Sequence, residues 1–342
     1  RDEIIFFATQ LAVMVDTGVT LSEALDAIAA SSENPAMARL VGEISDAVKG
    51  GVEFSAALEQ HPRVFSNLFV SMMRASEATG TMGQMLQRVS EYMQQERETR
   101  KRIRGALTYP VCMLVFCVLV VVGLLAFVLP RFEKIYAGKG AVLPAPTRVL
   151  LEISHGLIAY WPVIVLGTAA GCVGLFLYLR SPGGRMMIDS LRIRFPVIGG
   201  MYRKAYLARS LRTMATMVSG GVSMLEGLDI TSHVAGNQCY ARIWSDLADR
   251  VREGSTLSEP LYSCPLVPRM VAQMIAAGEQ TGQLGKVMNR VARFCEEDLK
   301  VAVKTTTQMI EPLMIIVMGF IVGGIAIALL LPVFRISKII AH

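Results

Sequence analysis

Three uncharged apolar runs punctuate the chain: Val111–Leu129, Gly156–Leu179 and Pro312–Phe334, of nineteen, twenty-four and twenty-three residues. A helix crossing a bilayer needs about 20 apolar residues, so the pattern predicts three transmembrane helices, over 110–130, 156–179 and 312–334. Elsewhere the apolar positions recur at helical spacing. Phe7, Leu11 and Met14 share one face, and Gly18 suits the left-handed position that ends a helix. Thr20 and Glu23 have the spacing of a capping box, and Ser223 and Glu226 repeat it. Leu21, Leu25 and Ile28 continue at helical spacing. Pro35 opens a further helix and Gly50-Gly51 closes it; another runs through Phe69, Met72 and Met73 to Gly80. A long helix through Leu86, Val89 and Met93 heads towards a basic stalk. No segment alternates as a strand does, so the chain reads as all-α, with about six helices in each of two cytoplasmic, antiparallel bundles.

The sequence contains itself twice. Gly18-Val19-Thr20-Leu21-Ser22-Glu23-Ala24-Leu25 reads like Gly221-Val222-Ser223-Met224-Leu225-Glu226-Gly227-Leu228, an offset of 203. The same offset pairs Gly51 with Gly254, Ser55 with Ser258, Leu58 with Leu261 and Pro62 with Pro265. After one deletion it becomes 202, pairing Glu77 with Glu279, Gly80 with Gly282, Pro110 with Pro312, Pro130 with Pro332 and Phe132 with Phe334. A fixed period of this kind marks duplicated units. Each is a helical bundle followed by a span. The run 156–179 has no counterpart and returns the chain to the side where the second copy starts.

Composition agrees with a membrane protein. Hydrophobic residues make up 53% and charged residues 18%, with mean hydropathy +0.46; soluble domains average about 25% charged. This excludes a disordered or fibrous chain and an ordinary soluble enzyme. Lys and Arg concentrate before the first span (Arg97, Arg100, Lys101, Arg102, Arg104) and after the second (Arg180, Arg185, Arg192, Arg194, Arg203, Lys204, Arg209, Arg212). The positive-inside rule then places 1–109 and 180–311 in the cytoplasm, and the loop 131–155 and the tail 335–342 outside a bacterial inner membrane. The basic flanks are expected to meet anionic lipid headgroups. Residues 1–96 hold six bases against thirteen acids, net −7, and no aromatic-rich basic surface is visible, which removes nucleic acid from the partners. Residues 213–311 hold nine bases against eleven acids, net −2. Six cysteines, none in the outside segments, ask for no disulfides. The chain opens at Arg1 rather than Met, which fits a preceding segment outside this sequence.

The double Gly-Val-x-x-x-Glu-x-Leu motif, the Glu-x-x-Gly turns at 77–80 and 279–282, and Pro110 and Pro312 before spans resemble the type II secretion system F family. Phe195-Pro196-Val197-Ile198-Gly199, leading into the second repeat, matches as well. The likeness runs from about Phe6 to about Ile336. It implies an inner-membrane platform that couples a cytoplasmic hexameric ATPase to the movement of pilin or pseudopilin subunits, alongside other inner-membrane components and in a homo-oligomer. Family members usually carry a further N-terminal stretch, and many have Pro where Thr20 and Ser223 stand here; both residues suit a helix start.

Little in the chain speaks for catalysis, a metal or a cofactor. His61, His155, His233 and His342 are scattered, and neither His-Glu-x-x-His nor Cys-x-x-Cys occurs. Gly282-Gln283-Leu284-Gly285-Lys286 looks like half a P-loop, but Gln280 and Val287 stand where Gly and Ser or Thr are needed. The spans lack ionisable residues, which disfavours the alternative class, a transporter or channel component. Gly167-x-x-x-Gly171 and Gly319-x-x-x-Gly323 permit close helix packing, within the chain or between copies. Glu77 and Glu279 fit either a carboxylate capping a neighbouring helix or a contact to the ATPase or a hard cation. The twenty methionines sit mostly at core spacing. The acidic first bundle is the better match for a basic ATPase surface, with Glu43, Asp46, Glu53 and Glu59 as candidate contacts.

Overall fold

The computed structural model describes residues 2–131, 145–196 and 198–340. Most of the expected outer loop, including its repeat-paired Phe132, lies outside the described residues, as do Val197 and His342. Every regular element among the described residues is helical. The chain divides into two units, Arg1–Arg102 with Asp189–Ala302, and Ile103–Ile188 with Val303–His342.

The first unit holds both bundles. The first repeat supplies α1 (Asp2–Asp16), α2 (Leu21–Ser31), α3 (Pro35–Lys49), α4 (Phe54–Glu59), α5 (Asn67–Thr79) and the start of α6 (Met82–Gly123). Phe7, Leu11, Leu25, Val41, Phe54, Leu58, Phe69, Leu86 and Val89 bury completely in its core. The Phe65 ring packs between Phe7 and Phe69, with centroids 5.9 and 5.2 Å away. Each such side chain contributes about 1.5–3 kcal/mol by leaving water, more than any single cap or surface ion pair. After α9 (Pro182–Arg194), the second repeat supplies α10 (Ile198–Ser219), α11 (Met224–Val234), α12 (Gln238–Arg252), α13 (Ser258–Tyr262), α14 (Arg269–Gln280) and the start of α15 (Leu284–Ile340). Its core is built on Leu211, Met214, Leu228, Tyr240, Trp244, Val271, Ile275, Met288 and Val291. The two bundles share apolar packing: Met217, Val222 and Ile230 of the second belong to the same buried cluster as Phe7 and Leu86.

Duplication is visible in the backbone. Gly18, Gly51 and Gly80 take positive φ of 90°, 86° and 69°, and their partners Gly221, Gly254 and Gly282 take 76°, 97° and 66°. Nothing lies within 4 Å of where a Cβ would sit at any of these six, so the left-handed backbone alone explains the glycine. Asn34 and Asn237, also 203 apart, cap α3 and α12 alike, each side-chain oxygen accepting from the N–H two residues on at 2.9 Å.

The second unit differs from the sequence expectation in one respect. The loop expected over 131–155 is helical from Ala145, as α7 (Ala145–Ala159), and α8 (Trp161–Arg180) begins only after a break at Tyr160. Pro162 explains the break, since proline suits the first turn of a helix and not its interior. α7 packs on a π-helical segment at Leu124–Val128: Leu151 joins Leu125 and Leu129 in one cluster, and the Ser154 hydroxyl donates to the Leu125 carbonyl. The Thr147 hydroxyl donates to the Ala328 carbonyl at 2.7 Å. Pro110 sits inside α6 without ending it. Among the described residues two helical stretches are long and apolar enough to cross a membrane, Met82–Arg131 and Leu284–Ala328. Only 11% and 6% of their most apolar windows is buried, unlike a soluble core helix.

Candidate partner-docking surfaces of the two bundles

The motif glutamates act on the scaffold. Glu279 Oε1 accepts from Leu257 N at 2.6 Å, while its Oε2 accepts from Ser258 N at 3.2 Å and from the Ser258 hydroxyl at 2.8 Å. A carboxylate there satisfies free amides at the start of α13. Glu77 does the same for α4, accepting from Ser55 N at 3.2 Å. Thr20 and Glu23 close a full capping box at α2. In the second repeat only half of the expected box forms among the described residues: Ser223 Oγ accepts from Glu226 N at 3.3 Å. Glu226 is exposed at that helix start, so its carboxylate loses little by staying in water. Leu25, Leu58, Leu228 and Leu261 are core residues. Gly199 is required by close approach, because a Cβ there would lie 2.8 Å from the Ile193 carbonyl oxygen; Pro196 lies exposed in the turn before it. Among the described residues no group of three or more His, Cys, Asp or Glu could hold a metal.

Where the bundles meet, the structure corrects the sequence reading. The basic flank expected to meet lipid includes Arg209 and Arg212, yet Arg209 turns into the interface and Arg212 pairs within its own bundle beside it. Arg212 pairs bidentately with Glu296, Nε to Oε1 and Nη2 to Oε2 at 2.6 Å each, with side chains only 17% and 10% exposed. Gln95 donates to the same carboxylate. Arg209 pairs with Glu96, which also accepts from Arg100 at 3.1 Å. The Tyr92 hydroxyl lies 3.1 Å from the Thr213 hydroxyl, and Arg88 donates to the Ser219 carbonyl. Lys204, too, is paired, with Asp298 at 2.8 Å. Charge density alone cannot separate such arginines from lipid-facing ones. The available signal was the repeat: Arg209 and Arg212 stand where the first copy has Phe6 and Thr9.

The four candidate contact acids are all exposed. Glu43 and Asp46 lie one turn apart on α3, and Glu53 and Glu59 bracket α4, which packs beside α3. Glu59 is bound to Arg74 at 2.8 Å and Glu43 lies 3.9 Å from His61 Nε2, both at the surface. Nearby, Asp26 takes hydrogen bonds from Lys49 and Ser45, both at 2.7 Å; the Lys49 bond above all holds its carboxyl below the usual range. In the second bundle, burial raises the Tyr240 phenol, whose hydroxyl donates to backbone carbonyls of Arg203 and Leu266.

The family model for type II secretion system protein F matches residues 7–130 and 210–332, one match on each repeat. The chain is 34% identical over 336 residues to the type IV pilus assembly protein PilC of Myxococcus xanthus, covering 98% of this chain and 80% of that protein. It is 38% identical over 335 residues to PilC of Thermus thermophilus, covering 98% and 82%. It is 30% identical over 331 residues to the type II secretion system protein F of Pseudomonas aeruginosa, covering 97% and 82%. With both repeats matched and relatives aligned over nearly its whole length, the chain belongs to the type II secretion system protein F family.

Proposed function

We propose that this chain is the inner-membrane platform of a type IV pilus or type II secretion machine, coupling a cytoplasmic assembly ATPase to pilin or pseudopilin polymerisation without catalysis of its own. The observation that carries it is the continuity of α6 and α15, each running unbroken from a bundle core into an exposed apolar stretch. A continuous helix passes on a displacement that a flexible linker would absorb. The bundles 1–109 and 180–311 face the cytoplasm. The spans are 110–130, 312–334 and a third within 156–179, where α8 starts at Trp161. The chain's relatives, assembly and secretion proteins by name, favour this over a transporter.

The acidic face of α3 and α4 receives the ATPase. Changing Glu43, Asp46, Glu53 and Glu59 together to Lys weakens binding of the purified cognate ATPase to the detergent-solubilised chain. The deficit deepens as salt is lowered, because attraction has become repulsion and screening shrinks. Unchanged affinity at low salt in a folded variant removes this face from the interface.

A further inference from the structure

The contact between the bundles is one-sided. α6 of the first repeat lays Met85, Arg88, Tyr92 and Glu96 on α10 of the second, against Gly220, Ser219, Thr213 and Arg209. The repeat offsets of 202 and 203 name the equivalents of both faces: Val287, Arg290, Phe294 and Asp298 on α15, and Thr17, Asp16, Gln10 and Phe6 on α1. Inside the chain the margins of these equivalent faces are held, with Asp298 paired to Lys204, Asp16 against Gly83 and Val287 against Gly278, but their centres are bare. Tyr92 is 8% exposed but Phe294 is 41% exposed. Thr216 is 8% exposed, whereas its equivalent Val13 is 59% exposed and Phe6 is 64% exposed. Elsewhere the two helices bury matching positions: Phe7 with Ser210, Leu11 with Met214, Ala12 with Ala215. The exposed pair of faces is also the more apolar one, with Phe for Arg, Val for Thr and Phe for Tyr.

We infer that a second copy of this chain seats the Arg290–Phe294 face of its α15 on the Phe6–Val13 face of α1, repeating between chains the contact that α6 and α10 make within one. Equivalence places Phe294 against Gln10, between Phe6 and Val13, beside a groove of about 480 Å³ that Phe6 and Gln10 help to line. It sets Arg290 opposite Asp16, a charge match where Arg88 meets only a carbonyl. Two exposed phenylalanines and a valine on one contact are the kind of anchor that dominates interface energetics. The contact is heterologous, so it propagates head to tail and closes as a ring or runs on as an open row. The inference rests on the repeat geometry, independently of the platform role.

The test uses the detergent-solubilised full chain and mass photometry. Wild type forms dimers and larger species. Phe6→Asp and Phe294→Asp each weaken self-association by at least about thirty-fold. Mixed one to one, they form a heterodimer and nothing larger, because each supplies the face the other has lost. Photo-crosslinking from p-benzoylphenylalanine at position 6 yields an adduct mapping to residues 287–298 of a second copy. Both substitutions are at the surface, and unchanged circular-dichroism melting shows each variant folded. The inference is overturned by a monomeric wild type, by variants that still assemble, or by a mixture that stays monomeric, as a two-fold contact would give. An adduct to another protein, to another part of this chain, or no adduct overturns it equally. Whether the same variants bind the ATPase is a separate readout, on which the platform reading stands or falls alone.

Discussion

The two bundles are one design under two loads. Their backbones agree at the turns, where Gly18, Gly51 and Gly80 match Gly221, Gly254 and Gly282 in left-handed geometry. They agree at the caps, where Asn34 matches Asn237 and Glu77 matches Glu279. They part on the outer face of the first helix. α10 carries Arg209, Arg212, Thr213 and Thr216 against charged and polar neighbours, while α1 shows Phe6 and Val13 to solvent and bonds Thr9 to Ser90. Positions that serve the fold of a single bundle stay the same, because backbone geometry leaves few alternatives. Positions on the outer face follow whatever covers them.

The largest expected contrast lies on that face. Arg212→Met strands the Glu296 carboxylate, 10% exposed, and should cost about 3 kcal/mol in thermal unfolding of the solubilised chain. The equivalent change, Thr9→Ala, removes only a 2.6 Å bond to Ser90 and should cost about 1 kcal/mol. Equal losses would erase the distinction between the faces. A smaller effect should be common to both bundles. Gly80→Ala and Gly282→Ala each force a side chain into left-handed backbone with no other contact, at about 1 kcal/mol apiece. A large difference between these two would mean the turns are not equivalent.

The smallest effect belongs to the first bundle alone. Its Asp26 is hydrogen-bonded by Lys49 and Ser45, whereas the second repeat has Ala248 at the Ser45 position. The folded carboxyl lies below its ordinary value of 3.8. Its contribution is therefore present above that pH and is lost as the pH falls through the folded value. Lys49→Met should raise the Asp26 midpoint, read by NMR of the side-chain carboxyl, and flatten that acid-side loss. A midpoint that stays put would show that Lys49 does not hold the charge.

The all-α class, the glycine turns and the Thr20 box were legible because each depends on residues within about one turn of each other, and the repeat because its two copies align position by position at a fixed offset. Helical periodicity, a left-handed stop and a side chain reaching its own helix start are local physics. The glutamates at 77 and 279 were half legible: their spacing from the turn glycines could be read, but the amides they serve lie about two dozen positions earlier in the chain. The break at Tyr160 had its signal in Pro162, hidden inside an otherwise uniform apolar run.

What the sequence determined by itself, then, is a duplicated helical bundle joined to apolar helices. Tertiary structure alone decided which charges leave water. Arg212 reaches Glu296 across 84 residues once the second bundle has folded, and Arg209 reaches Glu96 across 113 residues, a partner it meets only when the two bundles have docked. The same docking covers the outer face of α10 and leaves Phe6 and Val13 of its twin α1 bare. A helix face records what it prefers to touch, but only the packed chain settles whether that partner is present.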